Sequence, residues 1–223
     1  TQANAAYQRR LSPNGTPVFA VYHGIDLELF CDVHAAPEAG PPWRVLTVAR
    51  LTAKKGLDTV LDALGRLAGE GVAFTYDLVG AGEDREALAA QARRLGIADR
   101  VTFHGRVEEA DLRASYSRAD VFAIASIAEL QSIATMEAMA SGLPVVAANA
   151  VALPHLVHDG ENGYLFEPGN VDDLADKLRL VLTASPEEYL RMQQASLEGV
   201  EIHDIEKTLD TFEKLYRGEP LDA

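Results

Sequence analysis

From Trp43 onward the chain repeats one pattern: a short apolar run, a polar or glycine-bearing turn, then an amphipathic stretch. Val45-Leu46-Thr47-Val48-Ala49 reads as a strand. The stretch from Leu57 to Gly69 reads as a helix, because Leu57, Val60, Leu61, Leu64 and Leu67 recur at helical spacing. Further strands are predicted from Phe74 to Val79, Val101 to Phe103, Val121 to Ile124, Pro144 to Ala147 and Gly163 to Phe166. Helices are predicted from Asp84 to Leu95, Glu108 to Ser117, Val171 to Thr183, Pro186 to Gly199 and Ile202 to Arg217. Strands and helices alternating in this way specify βαβ units. The expected fold class is α/β, a Rossmann-like three-layer α/β/α domain with a mainly parallel sheet. Ligands of such sheets bind beyond the carboxyl ends of the strands. The loops after Val48, Val79, Phe103 and Ile124 are therefore where chemistry is expected.

The part before Trp43 is less regular. Thr1 to Leu11 reads as a helical piece, Ser12-Pro13-Asn14-Gly15 as a turn, and Val18 to Tyr22 as a short apolar strand. Residues 32 to 42 are rich in Ala, Pro and Gly and read as a linker.

Composition narrows the partners. The 223 residues are 48% apolar and 24% charged, enough for one sizeable core. With 20 basic against 34 acidic residues the formal charge is −14. That balance argues against nucleic acid and against general adhesion to anionic membranes. Cys31 is the only cysteine, so an internal disulfide is impossible and a reducing, cytoplasmic home is consistent. Metal-ligand spacing is absent, and no metal site is expected. His23, His104 and His155 fall near predicted strand ends, but a lone histidine is more often a surface or packing residue. No apolar run approaches the roughly 20 residues of a membrane span, and no signal peptide is visible.

Four loops carry candidate chemistry. Arg50 closes the first strand of the repeat, and Lys55-Gly56 opens the next helix. Two cations near a helix N-terminus suit a dianion such as a diphosphate, and a solvated cation pair is the plainer alternative. Gly80-Ala81-Gly82 permits a tight turn and close backbone approach. It lacks the third glycine of the dinucleotide fingerprint and is followed by acids, which argues against nicotinamide or flavin. Phe103-His104-Gly105-Arg106-Val107 offers a glycine turn that could hold a planar base, or an ordinary βα turn. Glu129 lies in the loop after the fourth strand, and Glu137 lies on a short apolar helix with Ser132 at its start and Gly142 at its stop. A buried carboxylate is costly without donors. Glu137 therefore needs a cation, backbone amides or ligand hydroxyls, unless it sits on an exposed face.

Taken in order, these elements resemble the donor-binding half of retaining GT-B glycosyltransferases of the large family 4 group. The resemblance covers about residues 16 to 184. It rests on His23-Gly24-Ile25-Asp26, Arg50-x4-Lys55-Gly56, Gly80-x-Gly82, Gly105, the Glu129-x7-Glu137 pair with Ala138-Met139-Ala140-Ser141-Gly142-Leu143-Pro144-Val145, and Asp159-Gly160-Glu161-Asn162-Gly163-Tyr164-Leu165-Phe166. The resemblance implies that Arg50 and Lys55 neutralise the diphosphate of a UDP- or GDP-sugar. Glu137 would accept from the ribose hydroxyls, and Glu129 would bind hydroxyls of the transferred hexose. Backbone amides of Leu130, Gln131, Ser132, Ile133 and Ala134 would touch sugar and phosphates, Gly80 and Gly82 would line the site, and Arg106-Val107 would meet the base. Transfer would proceed with retention, without a metal or other cofactor, to a lipid, saccharide or small-molecule acceptor. Two departures stand out. The family often has Gly-Phe-Gly or similar where this chain has Leu130-Gln131-Ser132, and Asn where it has His23.

The resemblance also sets domain expectations. Residues 1–42 are a lead-in and linker from a missing N-terminal acceptor domain, 43–184 the nucleotide-sugar domain, and 185–223 C-terminal helices. The chain is expected to be a fragment, inactive alone, from a cytoplasmic enzyme that a lipid acceptor would place at the membrane face. An epimerase or hydrolase of the same fold and a non-catalytic nucleotide-sugar-binding module are the alternatives.

Overall fold

The computed structural model describes residues 11–12, 18–19, 21–31 and 40–219. The predicted helix before Leu11, the turn at 13–15 and the linker over 32–39 lie outside the described residues. Two compact units are present: Glu28–Val200, and a second joining the described residues up to Leu27 with the stretch from Glu201.

The larger unit is built on six strands: β1 (Trp43–Val48), β2 (Phe74–Val79), β3 (Val101–Gly105), β4 (Val121–Ile124), β5 (Val145–Ala148) and β6 (Gly163–Phe166). They pair in the order β3-β2-β1-β4-β5-β6, every pair parallel. The order reverses between β1 and β4, where Val45 pairs with Val121 and Leu46 with Phe122. This is the doubly wound topology, and its crevice lies between the carboxyl ends of those two strands. All residues of β4 and β5 are buried, which is why both read as unbroken apolar runs rather than alternating ones.

Helices α1 (Leu57–Gly69), α2 (Arg85–Arg94), α3 (Glu109–Arg118), α4 (Ile133–Ala140), α5 (Val171–Leu182) and α6 (Pro186–Val200) complete this unit. Helix α1 buries Leu57, Val60, Leu61, Leu64 and Leu67, the stripe that the sequence spacing specifies, and it packs against α2 and α5. Helix α4 buries Met136, Ala138 and Met139 and packs against α6. Right-handed crossovers place these two groups on opposite faces of the sheet. Helix α4 ends where Gly142 donates to Met139 O and Leu143 to Ala138 O, a left-handed stop that the glycine supplies.

The second unit differs from expectation in two places. Val18, Phe19, Val21 and Tyr22 are not in a strand; Ala20 lies outside the described residues. A strand needs a partner edge, and among the described residues of this unit the only bridge pairs Ile25 with Asp204. The last helix, α7 (Ile205–Arg217), starts later than Ile202 because Glu201–His203 forms a separate tight turn. Asp204 caps α7 by accepting from the Glu206 amide. The His23-Gly24-Ile25-Asp26 segment is held to that cap: Ile25 N donates to His203 O at 2.8 Å and Ile205 N to Ile25 O at 2.9 Å. Buried His203 has its pKa lowered chiefly by desolvation, offset in part by its contact with His23 O.

Candidate functional site

The crevice between β1 and β4 is assembled from two loops that the backbone locks together. After β1, Ala53–Lys55 makes one tight turn, and Gly56 in the left-handed conformation (φ 61°) starts α1. A Cβ on Gly56 would lie 2.5 Å from Ala125 O, so only glycine lets the two loops touch there. Ile127 N and Ser126 Oγ then both donate to Lys54 O, each at 3.3 Å.

This register delivers Lys55 to Glu129. The ammonium Nζ forms an ion pair and hydrogen bond with Glu129 Oε1, with the two side chains only 20% and 11% exposed. Glu129 therefore meets the expense of its burial with a cation from the neighbouring loop. The Glu129 carbonyl accepts from Ala152 N at 3.2 Å, beside Val151, whose φ of 50° is strained for a β-branched residue.

Beyond Glu129 the chain enters α4. The amides of Leu130, Gln131, Ser132, Ile133 and Ala134 make no hydrogen bond among the described residues. Ser132 occupies the cap position, but its hydroxyl pairs with Thr135 Oγ1 at 2.7 Å instead of capping. The helix start thus keeps free N–H groups and its positive dipole end, both of which favour an anion. Leu130 is 83% exposed, so the neck is open to solvent.

Glu137 sits one turn further on and is half-buried. Its Oε2 accepts from the Tyr116 hydroxyl at 2.8 Å, and its Oε1 has no partner among the described residues. Burial raises its pKa, and the Tyr116 hydrogen bond pulls it part of the way back. Tyr116 is fully buried, with Phe30 edge-on to its ring at 5.8 Å. Tyr116 is the site residue that sequence reasoning missed; an isolated tyrosine on a polar helix carries no pattern of its own.

That geometry has a pH consequence. Glu137 has a raised folded pKa, so the native state pays for its charge at neutral pH and is relieved as pH falls through that pKa. Tyr116→Phe removes the donor to the charged form. The variant is expected to lose about 2 kcal/mol at pH 7 and distinctly less at pH 4.5. Urea unfolding at both pH values checks this, and an equal loss at both would contradict it.

Arg50 and Arg106 are exposed at the ends of β1 and β3, and neither guanidinium has a partner among the described residues. Val107 follows Arg106 and is half-buried. The glycines after β2 have a plainer explanation than ligand approach. A Cβ on Gly80 would lie 1.9 Å from Ala49 O, and one on Gly82 would lie 2.1 Å from Leu51 O. Their missing side chains make room for the β1 loop. His104 pairs with Asp77 on the adjacent strand, and His155 is exposed on a short turn. Neither joins the crevice pair. A groove of about 340 Å³, lined in part by Thr52, Asp58, Asp84, Gln91 and Arg94, lies between the start of α1 and α2. Its two aspartates make it a poorer host for a diphosphate than the Lys55 crevice. Among the described residues no cluster of metal-ligating side chains occurs, and no helix is long and apolar enough to cross a membrane.

A doubly wound parallel domain with a cation, a carboxylate and free helix-start amides at its switch point is the class that fold and site define. Residues 33–198 match the family model of glycosyl transferases group 1, and the chain belongs to that family. It is 32% identical over 196 residues to a putative colanic acid biosynthesis glycosyltransferase of Salmonella typhimurium, covering 85% of this chain and 46% of that protein. It is 33% identical over 145 residues to a GDP-mannose-dependent alpha-(1-6)-phosphatidylinositol monomannoside mannosyltransferase of Mycobacterium tuberculosis, covering 62% of this chain and 38% of that one. Its fold is similar to sucrose-phosphate synthase from Thermosynechococcus elongatus, with a TM-score of 0.83, 26% identity, and 98% of this chain and 56% of that chain covered. The chain thus spans less than half the length of the two curated relatives described.

Proposed function

We propose that this chain is the nucleotide-sugar-binding part of a retaining, metal-independent hexosyltransferase that uses a UDP- or GDP-sugar. The observation that carries this reading is the Lys55–Glu129 pair at the β1/β4 crevice, flanked by five unbonded amides. A diphosphate needs cations and N–H donors, and a sugar ring needs a carboxylate acceptor; the crevice offers both side by side. Membership of group 1 and the relative named for its use of GDP-mannose support a nucleotide-sugar donor.

In this reading Lys55, Arg50 and the amides from Leu130 to Ala134 take the diphosphate. Glu129 takes hydroxyls of the sugar, and the open Oε1 of Glu137 takes the ribose. Arg106 and Val107 meet the base. As the anomeric bond breaks, negative charge grows on the leaving phosphate oxygen, where preset cations and amides lower the barrier most. No resident cofactor is assigned. The acceptor, whether lipid, saccharide or small molecule, is met by residues of the whole enzyme. Transfer by this chain alone is expected to be slow, because the proximity of a bound acceptor is lacking. Calorimetric titration with UDP, GDP, UDP-glucose and GDP-mannose tests the reading. Saturable binding of one base series is expected, and a folded protein that binds none of the four overturns it.

A further inference from the structure

We infer that Glu129 also governs product release, by reclaiming Lys55 from the diphosphate once the sugar has left. This inference rests on the donor-site reading above and goes beyond it. In this structure the two groups assigned to different parts of the donor are bonded to each other. The pair is preset: Ile127 N and Ser126 Oγ fix the β4 loop on Lys54 O, and Gly56 lies under Ala125 O. Both side chains are mostly shielded from water, so neither charge is well solvated alone.

A phosphate oxygen can take Lys55 only if Glu129 finds other donors. An intact nucleotide sugar brings them, because the sugar hydroxyls donate to the carboxylate while the phosphates accept from the ammonium. Both groups exchange one partner for another at little net loss. After transfer the hydroxyls leave with the acceptor, and the nucleoside diphosphate remains. Glu129 then falls back on Lys55, its one hydrogen-bond partner among the described residues, and it competes with the diphosphate for that cation. The site is thereby tight for donor and loose for product, a discrimination that a lysine alone cannot supply. No covalent step is added; only the hydrogen-bond partners of Lys55 change.

Glu129→Gln keeps the shape and removes the competing charge. UDP or GDP, whichever the wild-type protein takes, is expected to bind about ten-fold tighter to this variant, while the matching UDP-glucose or GDP-mannose gains little or weakens. In a Lys55→Met background the same change is expected to yield no such gain, because there is no cation to reclaim. Simple repulsion between carboxylate and phosphate predicts that the gain persists there. Titrations of wild type, both single variants and the double variant, each checked for cooperative melting, decide the matter; Glu129→Ala replaces Glu129→Gln if the latter does not fold. A wild type that binds while Glu129→Gln binds no tighter, or a gain that survives Lys55→Met, overturns the release role and leaves the donor site standing. Binding of none of the four ligands by folded wild type overturns both.

Discussion

Replacing Lys55 with methionine is expected to weaken nucleoside diphosphate binding about a hundred-fold, where a tenfold change corresponds to about 1.4 kcal/mol. The ammonium supplies charge-assisted hydrogen bonds to phosphate oxygens, each worth about 1.5–3 kcal/mol. Its loss also strips Glu129 of its partner. Glu129 is only 8% exposed, and an unpaired carboxylate at that depth destabilises the fold as well. A melting point lower by about 5 °C is expected, since about 2–4 °C follows each kcal/mol in a domain of this size. Adding Glu129→Gln restores the melting point but not wild-type binding. Unchanged affinity in Lys55→Met would remove Lys55 from the site.

Gly80→Ala is expected to be among the most destabilising single methyl additions to this chain, alongside Gly163→Ala, whose Cβ would lie 1.9 Å from Val145 O. The new Cβ would lie 1.9 Å from Ala49 O, and φ at this position is +134°, a conformation that L side chains rarely adopt. The clash is with backbone, not with the movable end of a side chain, so β2 must separate from the loop after β1. Three bonds resist that shift: Gly80 N to Gly105 O at 2.8 Å, Ala49 N to Val79 O at 3.0 Å and Leu51 N to Ala81 O at 3.1 Å. A loss of about 4 kcal/mol is expected, at the upper end of single-residue effects, and urea unfolding measures it. Because the displaced segment runs through Arg50 toward Lys55, ligand affinity should fall too. A variant within about 0.5 kcal/mol of wild type, the range of ordinary surface substitutions, would show that the loop packing has been misread.

What the sequence made legible follows the range of each interaction. Strands β2, β4 and β6 were readable to the residue and β1 to within two residues at its start; β4 shows the reason most plainly, because Val121–Ile124 is a short unbroken apolar run buried throughout. Helix α1 was readable from its own stripe. Val18, Phe19, Val21 and Tyr22 are equally apolar yet are not in a strand, because strand formation depends on a partner edge that local composition does not encode. The candidate residues Arg50, Lys55, Glu129 and Glu137 were visible from residue type and motif order. Their pairing was not: Lys55 and Glu129 are 74 positions apart and meet only because β1 lies beside β4. For the same reason Tyr116 was invisible as the partner of Glu137. Gly80 and Gly82 were noticed for their freedom, but the cause lies in a neighbouring loop no spacing rule identifies.

The central claim is that a nucleoside diphosphate lies across the β1/β4 crevice. Following backbone amide resonances while UDP or GDP is added tests this most directly, because it reports where the ligand sits as well as whether it binds. Shifts are expected to concentrate on residues 50–57 and 126–137, with the amides of Leu130 to Ala134 among the most affected, and to be largely lost in Lys55→Met. Shifts gathered instead around the groove of Asp58, Asp84 and Arg94, or none in a folded protein, would contradict it.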